Sequence, residues 1–225
     1  MSEIKVMTSA AFKEAYLELL PEFKRATGHK VLTLWAPSVQ MMSRLKSGEV
    51  VDLVILSATS LDELIRAGII ADRTDLAKSG IGVAVRAGAP RPDIGSGEAI
   101  RRAVLTAKSI VHSTGPSGIY LAGLFRRMGI ADEIKHKIRQ SQGEPAGAFV
   151  ARGEAEIGFQ QMSELLPVSG IDIVGPLPPD VQQITLFSAG LHVAAGEPDA
   201  ARALVGFLTA PAAAPVIRKK GMEPA

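Results

Sequence analysis

Residues Val51 to Leu56 are apolar at every position except Asp52. A strand with apolar side chains at successive positions has no polar face to turn to water, so both of its faces must be covered. That requirement points to a sheet of parallel strands with helices packed on either side. The flanking sequence supplies the other parts. Ile4 to Met7 is a short apolar run, followed by Phe12, Ala15, Tyr16, Leu19, Leu20 and Phe23 at the spacing of one helix face, with Gly28 as its stop. Lys30 to Leu34 is a second strand, and Pro37-Ser38 opens a helix with Met41, Met42 and Leu45 inward. After the central run, Leu61, Leu64 and Ile65 form a short helix ended by Gly68. Strand and helix thus alternate three times, the signature of an α/β parallel sheet.

Gly80 to Pro90 interrupts this alternation with an extended apolar segment and a Gly/Pro exit. A second series begins with a helix over 97–107, a strand over 109–113 and a helix over 118–128. A helix near Pro145 to Arg152, a strand at Ala155 to Phe159 and an apolar run at Ile171 to Val174 complete it. Another extended segment, Gln183 to His192, leads into helices around 204–208 and 216–217. Two long extended segments bracketing the middle third suggest that the chain crosses to a second lobe and later returns.

Composition excludes several classes. The chain has no cysteine, which removes disulfides, thiolate catalysis and Cys-based metal sites. Its four histidines, His29, His112, His136 and His192, lack ligand-like spacing, so neither a metal nor another cofactor is expected. There are 25 basic and 23 acidic residues, and the longest basic run is Arg218-Lys219-Lys220, too little to recruit nucleic acid. No apolar run reaches the length of a membrane span. The N-terminus enters a strand at once with no basic segment and apolar core before it, so as written the chain is expected to be cytoplasmic. A periplasmic protein whose signal had been removed has the same appearance. Catalytic signatures also fail: Gly115-Pro116-Ser117-Gly118-Ile119 lacks the last glycine of a nucleophile elbow, and no phosphate-binding loop occurs.

What recurs is a small hydroxyl residue where a strand hands over to a helix: Thr8 and Ser9, Ser38, Ser57, and Ser113 with Ser117. Each alone reads as a helix cap. Gathered on strand ends that point the same way, they place N–H groups and hydroxyls around one point, a neutral donor set for an anion. The turn His112-Ser113-Thr114-Gly115-Pro116-Ser117-Gly118-Ile119-Tyr120 is the strongest single element of this pattern.

These segments resemble a known family. Ala36-Pro37-Ser38, Val51 to Ala58, Gly115 to Tyr120 and Arg152-Gly153-Glu154-Ala155-Glu156-Ile157-Gly158 are similar to the corresponding pieces of type II periplasmic binding proteins, within them the molybdate-binding-like solute-binding proteins. The resemblance spans about residues 3 to 222. It implies two α/β lobes, each a mostly parallel sheet flanked by helices: one of 1–84 plus 190–225, the other of 85–189. Crossover strands near 83–86 and 184–189 would act as hinges, with a small anion in the interlobe cleft. It also implies a membrane permease as partner, and the protein is expected to be a monomer.

The resemblance adds Ala10, Gly118, Ile119 and Tyr120 to the expected binding residues. Departures from the family pattern turn the expectation away from molybdate and tungstate. Ala11 stands where a serine is usual, and Gln160-Gln161 replaces a tyrosine. Glutamines together with Arg86 suit an organic carboxylate, since an arginine grips one through two hydrogen bonds. Some relatives on this scaffold look like isomerases of unsaturated acids such as aconitate, for which His112 or a nearby carboxylate would be the base. A solute-binding protein for a small oxyanion or carboxylate, and such an isomerase, are the two function classes expected.

Overall fold

A computed structural model describes residues 2–225. The chain divides into two units, residues 1–79 with 185–225 and residues 80–184. In the first, β1 (Glu3–Thr8) leads through a 3-10 turn at Ala10–Phe12 into α1 (Lys13–Thr27), which Gly28 ends in a left-handed conformation. Next come β2 (Lys30–Trp35), α2 (Ser38–Lys46), β3 (Leu53–Ser57) and α3 (Ala58–Arg66). β4 (Ile70–Arg86) belongs to the first unit up to Ser79 and to the second from Gly80.

The second unit continues with α4 (Gly97–Thr106), β5 (Ile110–Ser113), α5 (Pro116–Arg127) and the short α6 (Ala131–Ile134). β6 (Ile138–Ser141), α7 (Ala146–Ala151), β7 (Ile157–Gln161), α8 (Met162–Leu165) and β8 (Ile171–Pro176) complete it. The chain returns to the first unit with β9 (Ile184–His192), α9 (Pro198–Thr209), α10 (Ala214–Lys219) and the short β10 (Glu223–Pro224).

The first unit orders its strands β2-β1-β3-β9-β4, with β10 along β4. β1 runs parallel to β2 and β3, whereas β9 is antiparallel to β3. The core explains the composition of β3. Leu53 and Ile55 enter one cluster with Ile4, Val6, Tyr16 and Phe23 of β1 and α1 and Leu204 of α9. Val54 and Leu56 enter another with Met7, Met41 of α2 and Leu61 of α3. All four β3 side chains are fully buried, each contributing about 2 kcal/mol by leaving water. The two-sided cover demanded by the sequence is therefore present.

The second unit repeats the plan. β5 runs parallel to β6 and β7, and the β4 segment is antiparallel to β7 and β8. Ile110, Ile157 and Phe159 pack under α4 and α5 against Ile100, Leu121 and Phe125. On the other face Val111 meets Ala146 and Val150 of α7.

The sequence reading differs from the structure in places. β4 starts at Ile70, ten residues before the extended segment read at Gly80. Its first part carries Asp72, Arg73, Asp75 and Lys78, three of them exposed, and so lacks an apolar signal. β6 and α6 were not anticipated either. β6 has polar residues at Arg139, Gln140 and Ser141, and owes its strand geometry to pairing with β5.

Candidate functional site

In the first unit the parallel strands end together. Thr8 lies opposite Trp35 and Ile55 in register. The exits are tied by the Ser9 N–H donating to the Ile55 carbonyl at 3.2 Å and the Ala36 N–H donating to the Thr8 carbonyl at 3.5 Å. The three hydroxyl positions at this edge then differ. Ser57 caps α3: its Oγ accepts from the Ser60 N–H at 3.4 Å and lies 2.9 Å from the Ser60 hydroxyl. Ser38 is the first residue of α2, half-buried, and the cap position belongs to Pro37, with no side-chain cap bond. Ser9 is buried, makes no cap bond, and its Oγ has no hydrogen-bond partner.

The cap reading therefore fails at Thr8-Ser9. The Thr8 hydroxyl donates to the Ser9 carbonyl at 3.1 Å, and α1 begins only at Lys13. A buried hydroxyl left without a partner costs about 1–3 kcal/mol, which a bound acceptor would recover. Ala10 is exposed beside it, and Ala11 is packed into the core.

The second unit has the same kind of edge. Ser113 lies opposite Ser141, and His112 opposite Phe159. The Ser113 Oγ accepts from the Gly115 N–H at 3.3 Å and lies 3.2 Å from the buried Ser117 hydroxyl at the start of α5. Gly118 lets the helix come this close. A Cβ there would stand 1.6 Å from the Ser113 carbonyl oxygen and 2.8 Å from His112 Nδ1. The turn thus presents two hydroxyls and the open N-terminus of a twelve-residue helix.

Its last two expected members are otherwise placed. Ile119 is 67% exposed, and the Tyr120 hydroxyl donates to the Val181 carbonyl at 2.9 Å, so its proton is already spent. Two further hydroxyls, Ser141 at the end of β6 and Ser163 just beyond β7, are buried with no partner. No sequence signal marked Ser141, since β6 itself was not legible.

The paired glutamines are not a matched pair of ligand donors. Gln160 is buried and engaged at both amide atoms: its Oε1 accepts from the Ala146 N–H at 2.7 Å, and its Nε2 donates to Glu164 at 2.9 Å. Gln161 is buried at the end of β7, opposite Ile81. Arg86 is exposed and five residues along β4 from Ile81, roughly 17 Å away at the opposite sheet edge. It does not join these donors.

His112 is equally unsuited as an accessible base. It is 2% exposed, its Nδ1 lies 2.9 Å from the Ser113 carbonyl, and burial lowers its pKa, so the ring stays neutral. Glu164 is the opposite case, because burial pushes its carboxyl up to about 7 although part of its surface remains accessible. Each edge accordingly offers neutral hydroxyl and N–H donors, a chemistry suited to a desolvated anion.

Comparison with known proteins agrees with this architecture. The family model of bacterial extracellular solute-binding proteins matches residues 4–223. A Pseudomonas protein named aconitate isomerase is 39% identical over all of this chain and 88% of its own length. The molybdate-binding protein ModA of Azotobacter vinelandii is 25% identical, covering 98% of this chain and 89% of that protein. The solved periplasmic molybdate-binding protein of that organism superposes with a TM-score of 0.79 at 19% identity, over 97% of this chain and 98% of the other. The fold is that of the type II periplasmic binding proteins, and the chain belongs to the bacterial extracellular solute-binding protein family.

Proposed function

We propose that this protein binds a small organic di- or tricarboxylate through strand-end hydroxyl and N–H donors, each unit offering a set of its own: Ser9 and Ser38 in the first, Ser113 and Ser117 in the second. The observation that carries the reading is the buried, unpartnered hydroxyl of Ser9 beside two helix starts. A carboxylate rather than molybdate is supported by the balance of likeness: 39% identity to a protein named for aconitate against 25% to one named for molybdate. As a solute-binding component, the protein works outside the cytoplasmic membrane with a membrane permease.

A thermal-shift series tests the reading. Trans-aconitate, cis-aconitate or citrate at about 100 times its Kd should raise the Tm by about 5–10 °C, and molybdate, tungstate and sulfate should leave it unchanged. No shift with any carboxylate at millimolar concentration would overturn the proposal.

The full-length likeness to an aconitate isomerase favours a second reading, in which the bound acid is also isomerised. That reaction needs a group able to take a proton from one carbon and return it to another, and Glu164 holds its proton near neutral pH. Proton NMR of trans-aconitate with the protein in D2O is the test. Appearance of the cis isomer with deuterium incorporated supports catalysis; binding without either leaves a solute receptor.

A further inference from the structure

Glu164 lies just past the C-terminal end of β7, on the sheet edge where β5 and β6 end at Ser113 and Ser141. Its surroundings define how it can carry charge. The Ala146 N–H can only donate, so the Gln160 amide must turn its Oε1 toward it, at 2.7 Å. That turns Nε2 toward Glu164, at 2.9 Å, which makes Glu164 Oε1 an acceptor. A proton on this carboxyl therefore sits on Oε2.

α8 packs most closely against β7 and α7. Neither β7 (Ile157–Gln161) nor α7 (Ala146–Ala151) carries a titratable side chain. The β4 segment from Gly80 to Val85, whose Gly82 lies against Met162 and Leu165, carries none either. Flanking α7, Glu144 and Arg152 pair with each other at 2.5 Å. Among the described residues no cation offsets a negative charge on Glu164, in keeping with the rise of its carboxyl to about 7. Beside it the Ser163 hydroxyl, and at the end of β6 the Ser141 hydroxyl, are both 2% exposed and unpartnered.

We infer that anion binding at this edge of the second unit is coupled to uptake of one proton by Glu164, which makes Glu164 a specificity-determining residue that disfavours anions when it is ionised. The proton comes from solvent, rests on Oε2 and returns to solvent on release. The inference rests on the reading that the protein binds a small carboxylate. It adds that the charge of the ligand and that of Glu164 are not accommodated together there: the ligand excludes the ionised form of Glu164, and the ionised form weakens the ligand.

The experiment measures trans-aconitate affinity calorimetrically from pH 6 to 8.5 for the wild type and Glu164→Gln, in two buffers of different ionisation heat. The wild-type Kd should rise about tenfold per pH unit above pH 7, with proton uptake approaching one per ligand. The Glu164→Gln protein should keep the wild type's pH 6 affinity within about twofold across the range. A wild-type Kd that is flat with pH, or the same slope in the variant, would overturn the coupling. A ligand-free carbon-13 titration of the Glu164 carboxyl separates this from the binding proposal. Titration near pH 4 overturns the proton site itself. Absence of trans-aconitate binding by both proteins at every pH overturns the carboxylate reading and the coupling with it, even where the carboxyl titrates near 7.

Discussion

Ser9 spends its backbone N–H on Ile55 and leaves its hydroxyl buried with nothing to bond. Replacing it by alanine removes an unsatisfied group, so Ser9→Ala should unfold at the same temperature or slightly higher, while carboxylate affinity falls about tenfold. A helix cap in that position would instead cost about 1 kcal/mol on substitution, and thermal melts with and without ligand distinguish the two. Gly118 answers to geometry alone. A methyl group cannot sit 1.6 Å from the Ser113 carbonyl, so Gly118→Ala must push α5 off β5 at a cost of about 3 kcal/mol or more, read by chemical denaturation. Glu164 sets a pH dependence whose sign follows from its raised carboxyl. The unfolded chain releases this proton near pH 4.5 and the folded protein near 7, so stability declines between those values and is level above them. Glu164→Gln should abolish that decline and gain on the order of 2 kcal/mol at pH 8. Serines, a glycine and the Gln-Gln-Met-Ser-Glu segment were all visible in the sequence, but not which hydroxyl would be satisfied. Ser57 and Ser9 look alike in the sequence and differ only because one faces Ser60 and the other faces buried space.

At the level of elements, Asp52 is the exception in the apolar run and has its own task. Its carboxylate accepts from the Lys5 N–H at 2.7 Å and from the Glu197 N–H at 2.9 Å, joining β1 to the chain just before α9. Asp52→Ala leaves both donors unpaired in a site 4% exposed, and should cost about 3 kcal/mol with no direct effect on ligand contacts. The amphipathic helices were readable because their apolar spacing is local: the inward residues expected for α1 are the buried ones. The first half of β4 and all of β6 were not. Their residues are largely polar and become strands through hydrogen bonds to partners distant in sequence, information that no window of the chain contains.

On the scale of the whole molecule, the first unit is assembled from both ends of the chain. β9 pairs with the fully buried β3, so residues 1–79 by themselves would expose that strand's apolar edge. A fragment ending at residue 79 should aggregate, and supplying residues 185–225 should restore a cooperative transition seen by circular dichroism. Alternating strand and helix patterns, one run that had to be covered on both faces, and two long extended segments were enough to determine the α/β class and the two-unit plan. Those features depend on spacing along the chain, which the amino-acid sequence states directly. The tertiary structure decided which groups at the strand ends keep an open valence. It engaged Tyr120 and Gln160 in internal hydrogen bonds, set Arg86 at the other end of its strand, and left the hydroxyls of Ser141 and Ser163 buried without a partner. Hydrogen-bond satisfaction and burial are properties of neighbours in space, and a polar side chain acquires its chemistry only once those neighbours are in place.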